Sequence, residues 1–237
     1  MINCNMHVLL TRPLEDSKDL IFNFKSKGFK VSHLPLLNIQ KINYEQIDFN
    51  SYEALIFTSS NSIRNLETKN INKETTCFCV GFATERSAKL RGFKNIFAAE
   101  GNVNNLKELI LQNFTDKQKK ILYVSGEIVT QRLDIELKSE GYSVNRLINY
   151  KVLHNQNLDL EFLKKLKEDI PKIIYVYSEN SAKSFLNLIE KYELVDYWMN
   201  TNLMCIGEKT SSVLNGIKWK KIFLFNPGEE EYLLYKI

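Results

Sequence analysis

The stretch Val8-Leu-Leu-Thr-Arg-Pro13, continued to Lys27-Gly-Phe-Lys-Val31, returns as Ile121-Leu-Tyr-Val-Ser-Gly126, continued to Glu140-Gly-Tyr-Ser-Val144. The offset is 113 from Val8 to Ile121 and again from Val31 to Val144, so the unit is copied without a gap. Each copy reads as an apolar run, a polar turn, a helix-periodic segment, a glycine and a second apolar run, the pattern of a strand-helix-strand unit. Ile56-Phe-Thr-Ser-Ser-Asn-Ser62 likewise matches Tyr175-Val-Tyr-Ser-Glu-Asn-Ser181 at an offset of 119. Cys79-Val-Gly-Phe-Ala-Thr84, with Leu90-Arg-Gly92 and Ile96-Phe97, echoes Cys205-Ile-Gly-Glu-Lys-Thr210, with Leu214-Asn-Gly216 and Ile222-Phe223. Three units recurring in one order describe two copies of one small α/β domain.

Around these units, strand-sized apolar runs alternate with helical patterns. Strands are expected at 8–11, 31–37, 54–58, 77–80, 95–98, 121–124, 144–152, 173–177, 203–206 and 221–225. Helices are expected at 16–27, 61–68, 84–91, 104–114, 130–140, 159–169, 180–192 and 209–215. Such alternation means parallel sheets covered by helices, so the fold class is α/β.

Length and composition exclude other classes. A chain of 237 residues with 44% hydrophobic and 25% charged residues is a folded protein of one large domain or two small ones. The longest apolar runs, Ile173 to Tyr177 and Ile222 to Phe225, fall far short of a membrane-spanning segment, and no membrane partner is expected. Met1 to Met6 shows no basic segment followed by a long apolar one, which suggests a cytoplasmic protein. Its 4 cysteines, among them Cys4, are too few for a disulfide scaffold, and Cys77 and Cys79, two apart, belong on one buried strand face. His7, His33 and His154 have no ligand spacing, so no metal is expected. The net charge of +4 is mild and the lysines are scattered, which argues against a nucleic-acid partner and suits an anionic small molecule. With no G-x-x-x-x-G-K-[ST] or G-x-G-x-x-G after any strand, a nucleotide cofactor is not expected either.

The polar turns carry the chemistry. Thr11-Arg12-Pro13, Ser59-Ser60-Asn61, Gly81 to Thr84, Ser125-Gly126, Ser178-Glu179-Asn180 and Gly207 to Ser211 each follow a strand and are expected to open a helix. In open parallel sheets ligands bind beyond the carboxyl ends of the strands, where helix N-termini offer free N–H groups and partial positive charge. Helix capping alone would also place Ser, Thr and Asn there; the recurrence of the whole set in both copies is what points to a ligand site.

These motifs, together with Pro35-Leu-Leu-Asn-Ile39 and Ile148-Asn-Tyr-Lys-Val152, resemble the uroporphyrinogen-III synthase family over nearly the whole chain. Glu179 and the acidic segment after Pro227 depart from the pattern. The resemblance implies two similar flavodoxin-like parallel-sheet domains joined by a two-stranded β-ladder, with a cleft between them. One domain is then discontinuous, residues 1–38 with 155–237, the other covers 39–154, and the connecting strands lie at about 35–42 and 147–155. The implied enzyme is a cyclising hydro-lyase of porphyrin biosynthesis. It closes hydroxymethylbilane with loss of water and inverts the last pyrrole ring through a spiro intermediate, with no cofactor. The resemblance makes Tyr150 the candidate acid for water loss. The proposed substrate contacts are Thr11, Arg12, Thr58, Ser59, Ser60, Gly81, Thr84, Ser125, Gly126, Ser178, Asn180, Thr210 and Ser211. With 6 arginines in the chain, backbone N–H donors are expected to hold most of the substrate's carboxylates. A monomer receiving substrate from the preceding pathway enzyme is expected. A non-catalytic two-domain clamshell protein that closes on an anionic metabolite would share the repeat and the loops, and stands as the alternative.

Overall fold

The computed structural model describes residues 6–226 and 228–233; Met1, Cys4 and Pro227 lie outside them. In chain order the strands are β1 (His7–Leu10), β2 (Lys30–His33), β3 (Leu37–Lys41), β4 (Ala54–Phe57), β5 (Thr76–Val80), β6 (Ile96–Ala99), β7 (Lys120–Gly126), β8 (Ser143–His154), β9 (Ile173–Val176), β10 (Asn202–Cys205) and β11 (Lys221–Leu224). The α-helices are α1 (Leu14–Ser26), α2 (Ser60–Arg64), α3 (Gly81–Leu90), α4 (Val103–Asn113), α5 (Leu133–Ser139), α6 (Leu160–Glu168), α7 (Glu179–Lys191), α8 (Glu208–Val213) and α9 (Glu230–Leu233).

Residues up to Asn38 and from Leu153 onward form one compact unit, and Ile39–Val152 form another. The first unit's sheet has the order β11-β10-β9-β1-β2, all parallel. Counted along the unit, that is the flavodoxin-like order 2-1-3-4-5. β1 (HVLL) and β9 (IIYV) are buried along their whole length, as strands covered on both faces must be. Successive residues alternate between two cores. Leu9, Ile174, Val176, Leu203 and Cys205 pack with Phe185, Leu188 and Trp198. Val8, Leu10, Ile173, Tyr175 and Met204 pack with Phe24 and Phe29.

The second unit's sheet has the order β3-β8-β7-β4-β5-β6. Apart from β3, each strand occupies the place of its repeat partner. β7 and β8 stand where β1 and β2 stand, and β4, β5 and β6 stand where β9, β10 and β11 stand. The same spatial order thus arises from a permuted chain order, because a strand's place follows from the faces it buries and not from when it occurs. Cys77 and Cys79 do share one face, packed with Ile63 of α2 and Ala88 of α3, while Ala54, Ile56, Phe78 and Tyr123 face α4 and α5.

The copied glycines end helices in matching ways. Gly28 (φ 85°) and Gly141 (φ 90°) donate to Lys25 O and Lys138 O, and Phe29 and Tyr142 N–H reach back to Phe24 O and Leu137 O. These are Schellman closures, which a positive φ permits.

Three expectations need correction. The run from 31 to 37 is not one strand: β2 stops at His33, and Pro35, lacking an N–H, separates it from β3. The helix expected over 61–68 is only α2, five residues long; Asn65 closes it, its Nδ2 donating to Asn61 O (2.9 Å), and Leu66 packs from beyond its end. The helix expected from Thr130 starts at Leu133, so Ser125 and Gly126 are the buried end of β7 and open no helix. The segments at about 35–42 and 147–155 contain β3 and β8. Ile42 N–H donates to Asn149 O (2.9 Å) and Asn155 N–H to Leu36 O (2.8 Å), an antiparallel register. β8 also pairs in parallel with β7, so its pairing with β3 forms the edge of the six-stranded sheet.

Candidate active site

In the second unit β4, β5, β7 and β8 run parallel, so Thr58, Ser59, Ser60, Gly81, Ser125, Gly126 and Tyr150 lie along one carboxyl edge. Ser59 caps α2, its Oγ accepting from Asn61 N–H (3.2 Å). Thr58 Oγ1 lies 3.0 Å from Tyr123 Oη. Burial pushes the Tyr123 phenol up. Tyr150 is 8% exposed and sits in register with Gly126, and its carbonyl accepts from Glu127 N–H (2.9 Å).

Arg146 secures this turn, and its role was not anticipated. Its Nε donates to Ser125 Oγ (2.8 Å), and its Nη2 donates to Gly126 O (2.6 Å) and Glu127 O (3.0 Å). One planar guanidinium thereby fixes three consecutive residues ahead of Tyr150. The available signal was a charged residue alternating with apolar ones, Val144, Arg146 and Ile148, inside a strand that must bury side chains. Asn149, fully buried, donates from Nδ2 to Ser62 O (2.7 Å) and so ties β8 to α2; it too was missed.

In the first unit the carboxyl edge carries Thr11, Arg12, Ser178, Asn180, Thr210 and Ser211. Ser178 caps α7, accepting from Ser181 N–H (3.1 Å), with backbone angles close to those of Ser59, its repeat equivalent. Asn180 is exposed in the first turn of α7. Arg12 lies 3.9 Å from the Tyr177 ring centre and 3.6 Å from Glu230 Oε1. Glu179 is paired with Lys183 (2.6 Å), which holds its carboxyl below the usual carboxylate range.

Four candidate hydroxyls turn inward. Thr11 donates to Tyr175 O (2.5 Å), Thr210 to Ile206 O (2.8 Å) and Ser125 to Gly126 O (3.1 Å); Thr84 is buried in α3. These side chains shape their turns, and what such turns can offer a ligand is backbone N–H. Ser211, half-buried, donates to Glu208 O (3.0 Å).

Cys77, Cys79 and Cys205 are buried, and burial pushes the thiols of Cys79 and Cys205 up to about 12, which makes them poor nucleophiles. His7 is buried between Ser32 Oγ (2.8 Å) and Asp169 O (2.9 Å) at the amino edge of the first sheet. Among the described residues no group of three or more His, Cys, Asp or Glu is placed to hold a metal ion, and no helix is long and apolar enough to cross a membrane. Each unit's edge offers hydroxyls and helix-terminal N–H groups, and that of the second adds a tyrosine beside a clamped turn. Groups of these kinds can accept a carboxylate and deliver a proton.

Residues 18–224 match the family model described as uroporphyrinogen-III synthase HemD. A crystal structure of uroporphyrinogen-III synthetase from Helicobacter pylori superposes with a TM-score of 0.64 at 21% identity, covering 98% of this chain and 99% of that one. A mutant uroporphyrinogen III synthase from the extremely thermophilic bacterium Thermus thermophilus gives a TM-score of 0.58 at 14% identity, covering 98% and 97%. The chloroplastic uroporphyrinogen-III synthase of Oryza sativa is 28% identical over 113 residues, 48% of this chain and 35% of that one.

Proposed function

We propose a site chemistry for this chain, which belongs to the uroporphyrinogen-III synthase family and is a cyclising lyase of porphyrin and haem biosynthesis. The family match, running through both compact units, carries this conclusion. The substrate is the linear tetrapyrrole hydroxymethylbilane, and the product is uroporphyrinogen III with its last ring inverted.

Bilane also closes spontaneously without inversion, so the protein's task is chiefly geometric: to hold the terminal ring in a near-attack pose and keep water out. In this proposal the acetate and propionate groups are bound by the turns at Ser59-Ser60, Gly81, Ser178-Asn180 and Ser211, through N–H groups and the hydroxyls that face out. Thr58 supports the Ser59 turn through Tyr123, and Thr11, Thr84, Ser125 and Thr210 hold their turns in shape. Arg12 supplies a cationic contact. Tyr150 donates a proton as the hydroxymethyl C–O bond breaks and water leaves. Tyr123, the other phenol at this edge, is buried and already engaged with Thr58 at 3.0 Å, which favours Tyr150 as the acid. The resulting cation is attacked through the substituted carbon of the terminal ring; the spiro intermediate reopens and recloses inverted, and loss of a proton from the ring carbon at which it recloses restores the pyrrole and returns to the Tyr150 phenolate the proton it gave. We further propose that the enzyme acts as a cytosolic monomer receiving bilane from the preceding enzyme.

The deciding experiment generates hydroxymethylbilane in a coupled assay and separates type I from type III products by chromatography. Predominantly type III product is expected. Type I product alone, at the spontaneous rate, would leave the non-catalytic clamshell that binds an anionic metabolite.

A further inference from the structure

We propose that Phe82 and Ile128 form an apolar bracket that holds pyrrole rings of the linear tetrapyrrole at the carboxyl edge of the second unit. This rests on the function proposed above and adds the residues that recognise the rings, as distinct from their carboxylates.

Phe82 is 76% exposed and Ile128 is 83% exposed, although each follows a buried strand by only a few residues. Scattered exposed apolar side chains are ordinary. Here the positions are not scattered. Phe82 opens α3 directly after β5, and Ile128 follows the end of β7. The strand order β7-β4-β5 puts the Ser59-Ser60 turn between them. Two strand spacings separate the flanking strands, about 10 Å. The edge therefore presents an apolar side chain, hydroxyls and N–H groups, and a second apolar side chain, matching flat rings that carry carboxylates on their rims.

The local backbone does not require a phenylalanine. Gly81 and Gly207 share a φ of 73° and start equivalent helices, yet the residue after Gly207 is the exposed Glu208. An acidic residue in a first helical turn suits the macrodipole, and Phe82 forgoes that benefit while leaving its ring in water. A Cβ built on Gly81 would meet nothing within 4 Å, so the space beside this turn is open. The backbone leading into Ile128 is fixed, because Arg146 bonds the carbonyls of Gly126 and Glu127 just before it. A preset apolar contact loses little entropy on binding.

The test is kinetics of Phe82→Ser, Ile128→Ser and the double variant on hydroxymethylbilane, with Leu90→Ser as control. Leu90 is 78% exposed at the far end of the same helix α3. Because all these side chains are exposed, melting temperatures should stay at the wild-type value. KM should rise about tenfold in each bracket variant and further in the double, with Leu90→Ser unchanged and Phe82→Tyr close to wild type. Unchanged KM in the double variant, or an equal rise in Leu90→Ser, overturns the bracket. So does sedimentation showing that the substitutions abolish self-association without changing KM. Fluorescence titration with uroporphyrin III separates this result from failure of the proposed activity. If the wild type does not turn over bilane, a Kd about tenfold weaker in the double variant still supports the bracket, and an unchanged Kd refutes it.

Discussion

A Cβ built on Gly126 would lie 2.8 Å from Cζ of Tyr150 and 3.0 Å from its Oη. The absence of a side chain at the end of β7 is therefore what allows the Tyr150 ring to lie where it does. Replacing Gly126 with Ala should overpack this contact and destabilise the protein by about 1–3 kcal/mol. Turnover should fall as the ring moves. In a Tyr150→Ala background the same substitution should cost little, because the clash is gone. Urea unfolding of the four proteins checks this; additive losses would show that the Gly126 contact is not with Tyr150.

Tyr150→Phe keeps the ring against Gly126 and removes only the hydroxyl. Folding stability and KM should hold, while kcat falls about tenfold or more, the low end of what a positioned general acid contributes. The residual product should remain mainly type III, since ring inversion depends on how the turns hold the terminal pyrrole. Wild-type turnover would return Tyr150 to a packing role, and a switch to type I product would make its hydroxyl a positioning group.

Arg146→Leu removes donors from Ser125 Oγ, Gly126 O and Glu127 O together. Hydrogen bonds to a charged group contribute about 1.5–3 kcal/mol each when buried, and Arg146 is only half-buried, so the stability loss should sit at the low end of one such bond. The kinetic effect should be larger, a drop in kcat of about tenfold through misplacement of the turn beside Tyr150. Arg146→Lys should recover only part of it, because an ammonium lacks the planar fork. Wild-type kinetics for Arg146→Leu would show that the clamp is dispensable.

Acid stability should carry a signature of His7. Burial lowers its pKa in the folded protein below the usual 6.5, partly opposed by Asp169. The unfolded chain then binds the extra proton first as pH falls, so stability declines with acidification from about pH 7 and levels off below the folded pKa. Asp169, held below the ordinary carboxylate range chiefly by Lys30, adds a loss only at still lower pH. Urea midpoints between about pH 5 and pH 7 should slope upward with pH in the wild type and less so in His7→Gln. Equal slopes would assign the acid sensitivity elsewhere.

What the sequence alone determined was local or repeated. The buried runs of β1, β4, β7 and β9, the Gly28 and Gly141 closures and the caps at Ser59 and Ser178 each follow from a few adjacent residues. Their recurrence at constant offsets also made the two α/β units legible before any contact was known. Helix bounds were less legible: α2 stops at Arg64 and α5 starts only at Leu133. The finer chemistry was decided by neighbours far apart in the chain. Thr11 turns inward because Tyr175 O lies across the β1/β9 junction. Arg146 becomes a clamp only because β8 lies beside β7, and Gly126 matters only because Tyr150 is in register with it. Hydrogen bonding and steric exclusion act over a few ångströms of space, whatever the separation in sequence, so strand order and register had to form before these side chains acquired their roles.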